Sequence, residues 1–449
     1  MHQQDTGTEI LTQAILRYAV ERIRMDPPTL DGPKSEATLR AMTGKTITTE
    51  GMGGLEALRI FTDVLAPACI SVDHPRFLSF VPAAPTEAAT LFDLVVGASS
   101  ICGTSWLEAA GAVFAENEAL RWLADLAGFP DSAGGVFVAG GTAGNLSALV
   151  AARSEWRNRH TGQQTRGLIV TSEGAHASVA QAAFVMDAEI LSVPCGSRLL
   201  GTDLEQFLKQ LTAQDQSRVF AVVATSGTTN LGIIDDLEGI AEVCEAEQIW
   251  LHVDGAYGGA GLAAPSIRAL FSGIERANSF IVDPHKWLFS PFDCCALLYR
   301  DPMHARVAHR QHGDYLEVLY DGVWNPSDYA HHLSRRARGL PFWFSLATHG
   351  TEAYSRAVET TLQLAQTAAD LIDQTDYLTL LMPPNLSVVV FRREGWTAED
   401  YQAWSENLLE EGTGFVMPTK HLGETVLRFC VVNPNTSQED LRLILDSLA

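Results

Sequence analysis

The sequence predicts an α/β protein: a large domain on a mainly parallel seven-stranded sheet, a smaller α+β C-terminal domain, and a helical N-terminal segment. Three observations carry this. Between residues 136 and 300, seven short apolar runs alternate with stretches mostly of helix length, as in a sheet covered on both faces. No strand pattern precedes about residue 76. Beyond residue 341, two strand patterns lie among helical ones. The expected divisions are 1–75, 76–340 and 341–449.

Thr8 to Arg24 sets Ile10, Ile15, Leu16, Val20 and Ile23 at helical spacing, and Pro27-Pro28 end the helix. Leu55 to Val72 reads as a second amphipathic helix. An apolar face on this preface would suit packing on another subunit. Residues 87–128 are helical and alanine-rich, with Gly97, Gly103 and Gly111 as breaks. Strands are predicted at Val136–Ala139, Gly167–Ser172, Ile190–Pro194, Val219–Thr225, Ile249–Asp254, Ser279–Asp283 and Ala296–Arg300. Helices are predicted at Thr142–Arg159, Ala175–Ala188, Asp203–Leu211, Asp236–Glu247 and Pro265–Leu270. Residues 309–338, rich in His, Arg, Tyr and Asp, read as a long functional loop. From Pro341 one helix runs to about Gln374. Strands follow at Leu386–Arg393 and Val426–Val432, with helices at Thr397–Glu410 and Thr436–Ser447.

Composition narrows the function. A net charge of −23 over 449 residues disfavours nucleic acid or an anionic membrane surface as partner. Only five of the 31 basic residues are lysine, so arginines remain available for local anions. Seven cysteines without a C-x-x-C pair suit reduced thiols, not a disulfide framework or a metal site. The polar N-terminus and the lack of a membrane-length apolar run lead us to expect a cytoplasmic protein.

Ser279-Phe-Ile-Val-Asp-Pro-His-Lys-Trp-Leu-Phe289 reads as a strand halted by Pro284, with His285 and Lys286 beyond its end. Trp287, Leu288 and Phe289 are expected to close over them. Lys286 is then either a desolvated amine with lowered pKa, ready as a nucleophile, or a surface lysine with its stem on apolar side chains. Ala139-Gly-Gly-Thr-Ala-Gly-Asn-Leu-Ser147 joins a strand to a helix, either as an anion cradle or as a tight turn. His176, in Ala175-His-Ala-Ser178, could stack on a planar ring or cap a helix. Asp254 ends an apolar strand, where a carboxylate needs a cation, a donor or a capping role. Ala256 beside it is small enough to admit a flat ring. Ala224-Thr-Ser-Gly-Thr-Thr229 offers short hydroxyl donors or simply a turn. A phosphate cradle, a stackable imidazole, a strand-end carboxylate and a strand-end lysine together suit one cofactor, pyridoxal 5′-phosphate.

With Asp283-Pro-His-Lys-Trp287, His252-Val-Asp-Gly-Ala-Tyr257, Ala175-His-Ala-Ser178 and His74-Pro-Arg-Phe77, the chain resembles the group II PLP-dependent amino-acid decarboxylases from about His74 to residue 432. That family comprises the aromatic-L-amino-acid, tyrosine, histidine and animal-type glutamate decarboxylases. The resemblance implies fold type I and a homodimer with active sites at the subunit interface. It implies Lys286 as the Schiff-base lysine, Asp254 on the pyridine nitrogen, His176 stacked on the ring and Ala256 behind it. Ala143 and Gly144 would contact phosphate, Thr229 would lie beside the cofactor, and His285 would line the site. Tyr315 falls where the family keeps a mobile-loop tyrosine, which implies decarboxylation over aldehyde formation. Phe80, Pro82, Thr104 and Trp106 would wall the substrate, with His176, and imply an aromatic L-amino acid. The alternatives are an acidic or diamino acid (glutamate, aspartate or 2,4-diaminobutyrate), with Arg335, Arg336 or Arg338 on a distal carboxylate, or an aldehyde synthase. Asp283 stands where many relatives have Asn, Gly144 where animal members have Ser, and Thr104 where aromatic-specific relatives carry a large aromatic.

Overall fold

The computed structural model describes residues 5–160, 165–311 and 322–449. Its N-terminal segment is helical. α1 (Thr6–Ile23), capped by Asp5, buries none of its residues. α2 (Glu36–Thr43) was not anticipated. α3 (Gly54–Ile60) continues through a π turn and a 3-10 turn and stops at Cys69, short of the predicted Val72. Pro67 in that last turn has no N–H to extend the ladder. In α4 (Glu87–Ala98) and α5 (Trp106–Leu126), Gly97 and Gly111 lie inside the helices and are not breaks. Gly103 does separate them, and the irregularity within α5 falls at Ala109 (φ −148°, ψ 42°).

All seven predicted strands form, each within two residues of its expected bounds. They are β1 (Gly134–Val138), β2 (Leu168–Ser172), β3 (Glu189–Val193), β4 (Val219–Thr225), β5 (Trp250–Asp254), β6 (Ser279–Val282) and β7 (Cys295–Tyr299). The sheet order is β1-β7-β6-β5-β4-β2-β3. β2 to β6 pair in parallel, and β7 runs antiparallel to both β6 and β1. Alternate strand residues feed two apolar layers, Val222, Leu251 and Phe280 on one face and Val223, Ile169 and Ile281 on the other. The connecting helices are α6 (Gly141–Arg159), α7 (Ala177–Val185), α8 (Gly201–Gln210), α9 (Ala213–Arg218) and α10 (Leu237–Glu247), with α11 (Pro302–His309) after β7. The helix expected at Pro265–Leu270 is a 3-10 turn, Arg268–Phe271.

The single helix predicted from Pro341 is two. α12 (Leu340–His349) and α13 (Thr351–Asp373) meet at Gly350, whose φ of 77° favours glycine. α12 packs against α4 and α5. A second sheet, ordered β10-β11-β9-β8, is antiparallel throughout. It contains β8 (Leu378–Leu380), β9 (Val388–Arg393), β10 (Pro418–His421) and β11 (Glu424–Cys430), with helices α14 (Ala398–Glu410) and α15 (Gln438–Asp446). Residues before α4 join it: Leu78 N–H bonds Phe415 O, and Cys430 N–H bonds Leu78 O, both at 2.9 Å.

Candidate active site

The carboxyl ends of β4, β5 and β6 meet the N-terminus of α6 around one cavity of about 260 Å³. This is where parallel sheets bind ligands, because strand ends supply polar groups there and helix N-termini point at the same space.

β6 ends at Val282, and Lys286 N–H bonds Asp283 O at 2.9 Å, so the chain turns sharply across Pro284. That turn brings Lys286 Nζ into the cavity, 2.9 Å from Asp283 Oδ2. Burial pushes the Asp283 carboxyl up, but Lys286 and then His285 outweigh it and hold the group below the usual aspartate range. Burial likewise pushes the Lys286 ammonium down, but Asp283 holds it above the usual lysine range. This corrects the expectation that desolvation alone would free the amine. The expected apolar cover also lies elsewhere. Trp287 stacks on Tyr257 and donates to Thr361 Oγ1 (2.8 Å), while Leu288 and Phe289 belong to the main core. Phe292 lines the cavity together with Tyr257, and its ring lies 4.7 Å from that of His285. His285 also lines it, and burial holds its imidazole below the ordinary value despite Asp283.

Asp254, only 4% exposed, ends β5 with both oxygens engaged. Oδ1 accepts from Ala256 N–H (3.1 Å) and Oδ2 from Asn145 Nδ2 (2.8 Å). Ala256 lines the cavity beside it. His176 caps α7, accepting from Ser178 N–H, and also lines the cavity. The capping and the functional readings are therefore compatible. Thr229 is a lining residue as well.

Gly140, Gly141 and Thr142 line the cavity, whereas Ala143 and Gly144 do not. Gly144 N–H bonds Gly140 O at 3.0 Å. A Cβ on Gly144 would meet Ile281 Cγ2 at 2.9 Å, so glycine there serves helix-to-strand packing. A Cβ on Gly141 would meet Ala256 Cβ at 3.1 Å and Asp283 Oδ2 at 3.3 Å, narrowing the cavity. No side chain caps α6, so its first-turn amides, with the helix dipole, face the cavity without intrahelical acceptors. Thr225, another lining residue, has a buried Oγ1 with no hydrogen-bond partner. Unused donors, an anion-accepting helix end, a carboxylate and a primary amine fit a phosphorylated pyridine aldehyde.

Phe80, Pro82, Thr104 and Trp106 do not line this cavity. Phe80 is 59% exposed, at φ 52°, its ring 6.1 Å from that of Phe415. Pro82 is buried, Thr104 is 6% exposed, and Trp106 N–H donates to Asn325 Oδ1 (3.0 Å). The three arginines considered for a distal carboxylate already have partners: Arg335 with Glu116 (2.7 Å), Arg336 with Asp93 (2.6 Å) and Arg338 with Asp293 (2.8 Å). Tyr315 lies outside the described residues. Sequence reasoning missed Asn145, Thr225 and Phe292 as members of the site. Asn145 and Thr225 fall within motifs already singled out. Nothing in the sequence distinguishes Phe292.

Comparison with known proteins bears on this site. The pyridoxal-dependent decarboxylase conserved domain matches residues 55–394. The aromatic-L-amino-acid decarboxylase of Bacillus atrophaeus is 32% identical over 390 residues, covering 83% of this chain and 80% of that protein. The L-2,4-diaminobutyrate decarboxylase of Rhizobium meliloti (strain 1021) is 30% identical over 393 residues, covering 84% and 78%. The crystal structure of Oryza sativa TDC with PLP and tryptamine superimposes with a TM-score of 0.91 at 23% identity, covering 100% of this chain and 99% of that one.

Proposed function

The chain belongs to the pyridoxal-dependent decarboxylase family, and on that basis we propose that its substrate is an aromatic L-amino acid, released as the corresponding amine and CO₂. The coarser statement, that it is a PLP-dependent amino-acid decarboxylase, follows from the family itself. One observation carries the assignment of residues: Lys286, Asp254, His176, Ala256, Thr229 and His285 share a single cavity.

When bound, pyridoxal phosphate supplies an electron sink for the pair left at Cα as the carboxylate departs. Lys286 Nζ would hold the cofactor's aldehyde carbon, and the first-turn amides of α6 with Thr225 Oγ1 would hold its phosphate. Asp254, fixed by Asn145 and by Ala256 N–H, would keep a positive charge on the ring nitrogen. His176 and Ala256 would flank the ring. Protonation of Cα is assigned to His176 or to Tyr315. The aromatic reading is favoured over the acidic one because Arg335, Arg336 and Arg338 are each committed to a carboxylate of the protein. The exposed ring of Phe292 offers an apolar wall instead. Phe80 and Trp106, away from this cavity, are proposed to wall the site through a second copy of the chain. Seven unpaired cysteines suit a cytoplasmic setting. No helix among the described residues is long and apolar enough to cross a membrane.

The test is a panel of Trp, Tyr, Phe, Dopa, Glu, Asp and 2,4-diaminobutyrate with detection of amine, aldehyde and peroxide. Amine from the aromatic members, lost together with the visible cofactor band in Lys286→Ala, is the expected result. Turnover of an acidic or diamino member alone would replace the substrate assignment. Aldehyde and peroxide as main products would replace the reaction.

A further inference from the structure

Beneath the cavity, seven side chains form one branched network of hydrogen bonds, and their chemistry permits a single direction along each branch. Asp254 accepts from Asn145 at 2.8 Å, and a carboxylate offers no hydrogen. The Asn145 atom facing it must therefore be the amide nitrogen, because an amide oxygen there would set two acceptors against each other. Asn145 Oδ1 then faces His252 Nε2 at 2.8 Å and requires a proton on that nitrogen. Burial pushes the His252 imidazole well below its ordinary pKa, so it is neutral, and Nδ1 carries no proton. Nδ1 accepts from Ser279 Oγ at 2.8 Å, and Ser279 Oγ accepts from Trp250 Nε1 at 2.9 Å. An indole N–H can only donate, so the far end agrees with the polarity set at Asp254.

The other hydrogen of the Asn145 amide goes to Ser178 Oγ at 2.8 Å. The Ser178 hydroxyl lies 2.8 Å from His176 Nδ1, and because that nitrogen also faces a backbone N–H and must accept, the hydroxyl donates its hydrogen there. Ser178 N–H reaches the same nitrogen at 3.2 Å. Two donors converge on Nδ1, which leaves the imidazole proton on Nε2. Asn145 is 1% exposed, His252 and Ser279 are each 0% and Ser178 is 4%, so water does not compete for the bonds among them, while the His176 ring itself lies exposed at the end of the network.

We infer that Asn145 and Ser178 are positioning residues: one amide holds the Asp254 carboxylate and, through Ser178, fixes the proton of His176 on Nε2. This rests on the reading above that His176 stands beside the cofactor ring. It adds the atom that carries the proton and the device that keeps it there. A single side chain thus orients the group facing the ring nitrogen and the group facing the ring plane, so the two cannot be set independently.

The experiment is ¹⁵N NMR of the holoenzyme labelled at the histidine ring nitrogens, with the His176 signals assigned by their loss in His176→Gln. In the wild type, His176 is expected to show an unprotonated Nδ1 and a protonated Nε2. Ser178→Ala should convert this to a tautomer mixture and lower kcat about tenfold with little change in KM. Ser178→Thr, which keeps a hydroxyl, should restore both. A wild-type His176 with its proton on Nδ1 would overturn the inference without the need for any variant. So would a Ser178→Ala enzyme with an unchanged tautomer and unchanged kcat. Failure of the cofactor assignment would be seen separately, as a wild-type protein with no visible cofactor band.

Discussion

The ammonium of Lys286 experiences two opposed effects. Burial favours the neutral amine, while the Asp283 carboxylate 2.9 Å away favours the cation. The carboxylate prevails because it is itself 1% exposed and poorly screened by water. On the proposed role of Lys286, a lysine that would react as a neutral amine is thus held as an ion pair before the cofactor is bound. Replacing Asp283 with Asn removes the main influence raising the Lys286 pKa and leaves burial to lower it. Each unit of decrease raises the neutral fraction at pH 7 about tenfold. We predict that Asp283→Asn captures pyridoxal phosphate faster at neutral pH. The midpoint of the capture rate against pH should move to lower pH, as measured by growth of the visible band. A midpoint unmoved or displaced to higher pH would show that Asp283 does not govern the amine.

Between single residues and the whole chain stand the elements that hold the site's surroundings in place. The irregular stretch from residue 322 to 339 is pinned to α5 by Arg335, which makes two 2.7 Å bonds to Glu116 and a third to Gly103 O. Glu116 also accepts from Gly339 N–H at 2.8 Å, so one buried carboxylate fixes both the stretch and the start of α12. Arg335→Ala should destabilise the protein by about 3–5 kcal/mol, because it strands a buried charge, and Arg335→Leu with Glu116→Leu should recover most of that loss. Urea unfolding of the single and double variants measures both. Equal losses in the two would mean that the charges themselves, not their pairing, stabilise the fold. In the sequence Arg335 was only one of three closely spaced arginines, because nothing there shows which carboxylate folds back onto it. Other elements divide in the same way. The strands of the large sheet were legible because most are buried on both faces and mainly apolar, and the partly exposed edge strand β3 still carries Ile190-Leu191. β8 and β10 were not, because Leu378-Thr-Leu380 and Pro418-Thr-Lys-His421 are too short or too polar to stand out. Lys286, Asp254 and His176 were legible as members of a site because strand ends and helix starts mark them. Asn145 was hidden in a glycine-rich run whose backbone drew attention from its side chain.

For the molecule as a whole, α1 poses a packing question. An 18-residue helix that buries none of its residues gains little from the rest of its own chain, although helices in proteins draw most of their stability from packing an apolar face. Yet Ile10, Ile15, Leu16 and Val20 are 40–49% exposed on it. Further large apolar side chains are exposed on other N-terminal helices, among them Leu55 on α3, Leu91 and Leu94 on α4, and Leu107 and Phe114 on α5. Surfaces of this kind mark association sites. The proposed homodimer would cover them and would bring Phe80 and Trp106 of one copy toward the cavity of the other. The prediction is a particle of twice the 48.7 kDa chain mass by light scattering, converted to the single-chain mass by Leu16→Glu with Val20→Glu. If the substrate wall comes from the second copy, the separated chains should keep the visible cofactor band while amine formation falls by more than tenfold. Monomers with full activity would restrict the site to one chain and return the substrate wall to Phe292 and its neighbours. A wild-type monomer would instead leave the apolar face of α1 to some other partner.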